Sequence, residues 1–295
     1  MSPLERGVAC DGATLVVYEW RPTAGGQNDP VLLAHATGFH ARCWDQVVGR
    51  LGERHVVAVD QRGHGRSGGA PPVHWGQFGA DLAAVLRALD LRDVVGVGHS
   101  MGGHAMTEAA ALDPGRFRRL VLLDPVIARP GLYATPDGDG RMPGEHPTAK
   151  RRSRFASPEE MFARFAERPP FDAWNRRVLR DYCRFGTRPD PSGDGVVLAC
   201  HPEFEAEVYM TSRGNGVIHD CVRAVEVPVL VVRAMQPPSD GPLADFRYSP
   251  TWPALAAAFP QGRDRYLADR THFLPMEDPE FAARLILERG DDVSA

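Results

Sequence analysis

Short apolar runs recur along the chain, and helix-length stretches separate several of them. The runs are LVVYEW from residue 15, VLLAHA from 31, HVVAVD from 55, VVGVGHS from 94, LVLLDP from 120, VPVLVVRA from 227 and DRYLAD from 264. Runs of this kind indicate strands that are buried on both faces. The helix-length stretches lie at 75–91, 101–112, 252–259 and 278–289. The alternation predicts an α/β fold with a mainly parallel sheet and helices on both faces.

The alternation is interrupted once, between about residues 125 and 226. This segment contains proline, arginine and aromatic residues but no run that indicates a buried strand. A segment of this length is too long for an ordinary loop. We therefore expect a core formed by residues 1–124 and 227–295, with a helical lid inserted at residues 125–226.

A serine lies between glycines where a predicted strand meets a predicted helix. The segment reads VVGVGHSMGGHAM, with Gly98 and Gly102 on either side of Ser100. Glycines allow two backbones to pack closely around a tight bend. Strand, G-x-S-x-G and helix in this order are typical of a nucleophile elbow, which holds the serine hydroxyl exposed at the edge of the sheet. Such a serine needs a base, and the base needs a carboxylate that orients it.

Eleven histidines could supply the base. His272 follows the last predicted strand, where the chain returns to the same carboxyl edge of the sheet as Ser100, and we predict that it is the base. His99 directly precedes Ser100 on the strand and is expected to point away from it. His35, His64 and His104 lie near turns, where a structural role is the simpler interpretation.

Four segments together resemble the α/β-hydrolase superfamily over nearly the whole chain. They are AHATGFHARCW at 34–44, DQRGHGRSG at 60–68, GHSMGG at 98–103 and THFLPMEDP at 271–279. The resemblance implies eight strands, a lid between strands six and seven, and a triad in the order serine, acid, histidine. It also implies that the loop with Asp60, Arg62 and His64 is structural. The sequence departs from the family pattern at Ala36 and Thr271, where glycines are usual.

The resemblance also implies an oxyanion hole, since acyl transfer develops a negative charge that N–H donors must meet. The donors would be the backbone N–H groups of Met101 and Thr37. Because Ala36 replaces the usual glycine and could shift the turn, Ala36 and Gly38 remain alternatives to Thr37.

Three aspartates are candidates for the triad acid. In most relatives the acid follows the seventh strand closely, but here VLVVRA is followed by MQPPSDGPLADF. Asp245 has the usual spacing from the next helix and is favoured, with Asp240 as a weaker neighbour. Asp124 ends the sixth strand in LVLLDPV, a position that some lidded relatives use. The sequence leaves these alternatives open.

The charge and the composition of the chain limit the kinds of binding partner that we expect. A net charge of −4 gives no general attraction to nucleic acid or an anionic membrane, so we expect a small-molecule substrate. Five scattered cysteines without a CxxC pair indicate reduced thiols, and neither a signal core nor a membrane-spanning run is found. We therefore expect a cytoplasmic protein without metal or organic cofactor. The sequence does not indicate an oligomeric state.

Residues 141–188 of the predicted lid are rich in arginine. They contain twelve Lys or Arg residues against six Asp or Glu residues. Two interpretations stay open: a solvated helical face, or recognition of a substrate that carries a carboxylate.

The function that these features predict is hydrolysis of an ester, a lactone or a related acyl bond through a Ser100 acyl-enzyme. The alternatives are a nonhydrolytic enzyme on the same scaffold, such as a lyase or a cofactor-free oxidative enzyme, and a catalytically silent binding protein.

Overall fold

The computed structural model describes residues 2–23, 29–71, 73–133, 146–238 and 247–288. In chain order the strands are β1 (Leu4–Cys10), β2 (Ala13–Trp20), β3 (Val31–Ala34), β4 (Val56–Val59), β5 (Val94–His99), β6 (Phe117–Leu123), β7 (Arg154–Phe155), β8 (Thr187–Pro189), β9 (Val196–Leu198), β10 (Val229–Arg233) and β11 (Gly262–Tyr266). Eight of them form one sheet in the order β1-β2-β4-β3-β5-β6-β10-β11. The sheet is parallel from β4 to β11, whereas β1 and β2 pair antiparallel. The predicted α/β fold is confirmed.

Helices cover both faces of this sheet. They are α1 (Asp45–Val48), α2 (Trp75–Ala88), α3 (Met101–Leu112), α4 (Pro158–Phe165), α5 (Arg176–Phe185), α6 (Pro202–Met210), α7 (Ile218–Ala224), α8 (Leu255–Ala258), α9 (Leu274–Glu277) and α10 (Pro279–Leu287). Successive strand residues point to opposite faces. Leu32 of β3 therefore packs in one core with α2 and α3, and Leu33 packs in a second core with α1 and α10. This two-sided burial explains why the central strands read as continuous apolar runs.

The first strand lacks the apolar run that marks the others. β1 reads LERGVAC, and within it Val8 alone is buried. It pairs with β2 on one side and forms one edge of the sheet. An edge strand has less surface to bury than a central strand, so its sequence carries a weak signal.

The inserted segment (residues 125–226) contains helices α4 to α7 and a separate antiparallel sheet in the order β7-β9-β8. The sequence predicted helices here, and these strands are too short to produce an apolar run. Helices α4 and α5 contribute to a third apolar cluster, which includes Phe39 and Phe273 from outside the inserted segment. The buried residues of α6 and α7 instead join the core beneath α2 and α3.

All five cysteines lie in described residues and are free thiols, as the sequence predicted. None of the helices in the described ranges combines the length and apolarity needed to cross a membrane.

The first turn of α3 lies directly against the strand ends. A Cβ atom on Gly102 would overlap the carbonyl oxygen of Ala34, and one on Gly98 would overlap the backbone of Gly102. Glycine at both positions is therefore a steric requirement of the bend at Ser100, because the obstructing atoms belong to backbone that cannot rotate away.

We expect Gly102→Ala to destabilise the fold by about 1–3 kcal/mol, the usual cost of overpacking. The melting temperature should fall by about 2–4 °C per kcal/mol for a chain of this size. Gly115→Ala is the control, since a Cβ atom there meets no other atom within 4 Å. Differential scanning calorimetry measures both variants, and equal melting temperatures would contradict the steric argument.

Candidate active site

Ser100 occupies the bend between β5 and α3. Its backbone has φ 58° and ψ −120°, a conformation that residues with a Cβ atom rarely adopt. The surrounding backbone holds it there: the Ser100 N–H donates to Leu123 O at 3.1 Å, and the Ser100 carbonyl accepts from Gly103 N at 3.0 Å and Val126 N at 3.0 Å. The serine that the sequence singled out thus sits at a strained strand-to-helix turn.

His272 lies within hydrogen-bond distance of Ser100 on one side and of a carboxylate on the other. Its Nε2 is 3.0 Å from Ser100 Oγ, and its Nδ1 is 2.6 Å from Asp124 Oδ2. A carboxylate can only accept, so the Nδ1 proton belongs to the bond with Asp124. Nε2 is then free to accept the Ser100 hydroxyl proton. The three side chains form one line of hydrogen bonds and are all buried.

Asp124 follows β6 and is completely buried. Its second oxygen, Oδ1, accepts from Ala234 N at 3.0 Å and from the Ser249 hydroxyl. Thr251 Oγ1 lies 2.7 Å from Pro125 O and donates there. Backbone and hydroxyl donors thus offset the cost of burying the Asp124 carboxylate and fix its orientation. No short-range pattern in the sequence pointed to Ser249 or Thr251, since they approach Asp124 only through folding.

The sequence favoured Asp245 as the acid. Asp245 and Asp240 lie outside the described residues, so their positions stay untested. The single proton on Nδ1 of His272 is accepted by Asp124.

The side chains of the two residues predicted to supply oxyanion donors are in contact. The Thr37 hydroxyl donates to Met101 Sδ at 3.4 Å, which joins the loop after β3 to the first residue of α3. Within the described residues, neither the Thr37 N–H nor the Met101 N–H donates to another protein group. The N–H group of Met101, the first residue of α3, and that of Thr37, on the loop after β3, are therefore free to donate to a ligand. Ala36 and Gly38 remain alternatives to Thr37.

An aromatic cluster adjoins these groups. Phe39 lies 5.3 Å from Trp174, 5.5 Å from Tyr182 and 6.2 Å from Phe273, measured between ring centroids. Phe273 follows His272 directly, and Trp174 and Tyr182 come from the inserted segment. Phe273 contacts the His272 ring, with 5.6 Å between the centroids, so the cluster places apolar surface beside His272. Electrostatic interactions are stronger next to apolar surface than in water.

Four arginines of residues 146–188 form ion pairs. Arg151 is partly buried, and its guanidinium lies 2.7 Å from the buried Glu205 carboxylate. Exposed arginines pair with nearby carboxylates: Arg152 with Glu160, Arg154 with Asp190 and Arg176 with Glu167. For these four arginines the contacts favour a structural role over recognition of a substrate carboxylate.

The described part of the chain contains no group of three or more His, Cys, Asp or Glu side chains placed to hold a metal ion. The loop with Asp60, Arg62 and His64 makes structural contacts. Asp60 accepts from Ala41 N and Arg66 N at 2.7 Å each, and Arg62 pairs with Asp81 at 2.7 Å.

Comparison with known proteins agrees with this geometry. The sequence profile of the Alpha/beta hydrolase family matches residues 31–285. The chain belongs to the alpha/beta hydrolase family. A non-heme haloperoxidase of Rhodococcus erythropolis is 27% identical over 237 residues, which are 76% of this chain and 78% of that protein. The likeness therefore extends over most of the hydrolase fold.

Other relatives match a shorter part of this hydrolase. An N-formylmaleamate deformylase of Pseudomonas putida is 35% identical over 115 residues, 38% of this chain and 43% of that protein. The chain spans less than half the length of several curated relatives in this way. The crystal structure of E-2-(acetamidomethylene)succinate hydrolase superposes with a TM-score of 0.72 at 23% identity, over 96% of this chain and 97% of that one. This likeness shows the shared fold.

Four histidines of this hydrolase are almost completely buried and have a lowered pKa. Burial lowers the pKa of His40 and His64 to about 4 and that of His99 to about 3, and holds the pKa of His35 well below its usual range. They are therefore neutral at pH 7. His99, which the sequence predicts to point away from Ser100, contacts the backbone carbonyl oxygen of His272.

We expect this hydrolase to lose stability as the pH falls from 7 to 5. Below pH 6.5 the unfolded chain takes up protons on His40, His64 and His99, whose pKa in the native protein is about 4 or lower. Each of these three therefore contributes up to about 2 kcal/mol of lost stability. Asp60 opposes this by about 1 kcal/mol, because burial raises its pKa to about 6. Urea unfolding at pH 7, 6 and 5 measures the net fall. In His64→Gln the free energy of unfolding should fall less between pH 7 and pH 5 than in the wild type. A free energy of unfolding that rises toward pH 5 would contradict the view that these histidines are buried and neutral.

Proposed function

We propose that this alpha/beta hydrolase is a serine hydrolase that cleaves an ester, a lactone or a related acyl bond of a small molecule. The observation that carries the proposal is the line of hydrogen bonds from Asp124 through His272 to Ser100, with distances of 2.6 and 3.0 Å. A base in contact with both a nucleophile and an orienting carboxylate is the arrangement that activates a serine hydroxyl.

In the proposed reaction Ser100 Oγ attacks the acyl carbon while His272 Nε2 takes the hydroxyl proton. The oxyanion of the tetrahedral intermediate accepts from the N–H groups of Met101 and Thr37. Collapse breaks the bond to the leaving group, which receives the proton from Nε2, and leaves the acyl group on Oγ. A water molecule then repeats the sequence, with His272 again as base, and releases the acid.

Asp124 has two tasks in this proposal. Through Oδ2 it holds His272 in the tautomer with the proton on Nδ1, and it stabilises the imidazolium that forms when Nε2 takes the Ser100 proton. Because Oδ1 is occupied by Ala234 N and Ser249, the carboxylate stays aligned while the proton moves. Asp124 is therefore our candidate for the triad acid.

The proposed substrate is a compact, partly apolar acyl compound. The aromatic cluster around Phe39 supports an apolar acyl or leaving group. We further propose that the inserted segment covers the entry to the site as a lid. The reaction needs neither a metal nor an organic cofactor. The cytoplasmic location stays a prediction.

The main alternative is a nonhydrolytic reaction on the same scaffold, either a lyase or a cofactor-free oxidative enzyme. The similarity to a protein named non-heme haloperoxidase is the observation that supports the oxidative alternative. A lyase would use Ser100 and His272 for proton transfer without an acyl-enzyme. A silent binding protein would bind a small molecule without turnover.

The function is tested with short-chain nitrophenyl esters and an organophosphonate probe. We expect ester turnover and stoichiometric labelling of Ser100, both absent in Ser100→Ala. Mass spectrometry locates the label. Equal labelling of the wild type and Ser100→Ala, or no turnover of any ester by folded protein, would shift the assignment to the alternatives.

The acid is tested by comparing Asp124→Asn with Asp245→Asn. In Asp124→Asn the amide oxygen keeps the acceptor position facing Ala234 N, so the NH2 group turns to Nδ1 of His272 and favours the wrong tautomer. Turnover should therefore fall by about four powers of ten, as in other serine triads. Asp245→Asn should retain turnover within about threefold. Circular dichroism controls for folding, because Asp124 is buried. The reverse pattern would assign the acid to Asp245.

A further inference from the structure

His99 has no part in the proposed proton transfers, although it lies between the two residues that carry them out. It is fully buried and directly precedes Ser100 at the end of β5. Its Nε2 donates to the backbone carbonyl oxygen of His272 at 2.8 Å, and the two imidazole rings are 5.1 Å apart. The ring also contacts Phe39, 6.1 Å away, on the loop that carries Thr37.

The protonation state of His99 follows from these contacts. Burial, and then the neighbouring His272, lower its pKa to about 3, so the ring is neutral. Donation to a carbonyl oxygen requires the proton on Nε2. Nδ1 is therefore a bare acceptor, and it is buried without a hydrogen-bond partner among the described residues.

A bare acceptor in this position is costly for stability. An unpaired buried polar atom typically costs about 1–3 kcal/mol. An apolar side chain would fill the site without that cost, so packing alone does not explain a histidine here. The feature that an apolar side chain would lack is the Nε2–H donor to His272.

That donor completes the fixation of the His272 backbone. The His272 N–H donates to Arg247 O at 2.9 Å, and the His272 carbonyl accepts from His99. The side chain is held separately by Asp124. Because His99 and Ser100 are adjacent in the chain, the strand end that places Ser100 Oγ also places the carbonyl of His272.

We propose that His99 is a positioning residue that sets the distance between His272 Nε2 and Ser100 Oγ through its hydrogen bond to the His272 carbonyl. The inference rests on the proposed hydrolase function and adds a residue to the machinery behind it. His99 transfers no proton. It acts on the geometry of His272, to which turnover is sensitive, since a misplacement of about 1 Å can lower a rate by about a hundredfold.

The test compares His99→Gln with His99→Met, two side chains of similar length. Glutamine keeps an N–H donor toward the His272 carbonyl, and methionine removes it. With a nitrophenyl ester we expect kcat to fall by about ten- to a hundredfold in His99→Met, with KM changed less than about twofold. His99→Gln should recover kcat to within about threefold of the wild type.

His64 offers a closely matched control. It is also fully buried, its Nδ1 donates to the backbone carbonyl of Arg62 at 2.8 Å, and its Nε2 has no hydrogen-bond partner among the described residues. Its ring packs against His35 and Phe204, and no hydrogen bond or ring contact among the described residues joins it to His272. His64→Met should therefore change the melting temperature about as much as His99→Met while kcat stays within about twofold of the wild type.

A second measurement does not depend on turnover. In the wild type, the Nδ1 proton shared with Asp124 should give a downfield proton resonance in the NMR spectrum, which His272→Ala removes. His99→Met should broaden or shift this resonance, and His64→Met should leave it unchanged. If wild-type protein is inactive and unlabelled but the resonance still responds to His99→Met, the hydrolase function fails and the positioning role stands.

Three results would overturn the inference. They are a kcat within twofold of the wild type in His99→Met, an equal loss of kcat in His64→Met, and a His99→Gln variant as slow as His99→Met. Should His99→Met not fold, His99→Leu replaces it in the same comparison with His99→Gln.

Discussion

The close approach of α3 to the ends of β3 and β5 is the constraint on which the site depends. Gly98 and Gly102 allow backbone to touch backbone, and Ser100 between them is held at φ 58° by hydrogen bonds from its own main chain. A bend of this kind persists only where the surroundings over-determine it. The two cores on either face of the sheet supply that rigidity, because they clamp β5 and α3 in place.

The second organising feature is a buried carboxylate that is fully hydrogen-bonded. Asp124 lies at the carboxyl end of β6, next to the ends of β5 and β10, and accepts from donors on three separate segments. Burying a charge without such partners would cost several kcal/mol. The same contacts that offset this cost also hold His272, so stability and site geometry depend on one set of hydrogen bonds.

The inserted segment contributes to the site through packing. Trp174 and Tyr182 meet Phe39 and Phe273, and Glu205, paired with Arg151, lies against Gly38. The loop after β3 and the loop of His272 therefore share a core with α4 and α5. The arginines in the described part of this segment are not members of that core, and several of them form ion pairs at the surface.

Local patterns in the sequence were sufficient for the sheet, for Ser100 as the elbow serine and for His272 near the end of the chain. Each of these has a short-range signal: an apolar run, glycines around a bend, or a histidine after the last strand. The sequence did not predict β1, because an edge strand buries little surface. It did not predict β7 to β9 either, because strands of two or three residues form no hydrophobic pattern. Tertiary structure alone placed Asp124, Ser249 and His99 around His272. Spacing along the chain cannot decide which of several carboxylates reaches a histidine 148 residues away, because that depends on which strand ends become neighbours at the edge of the sheet.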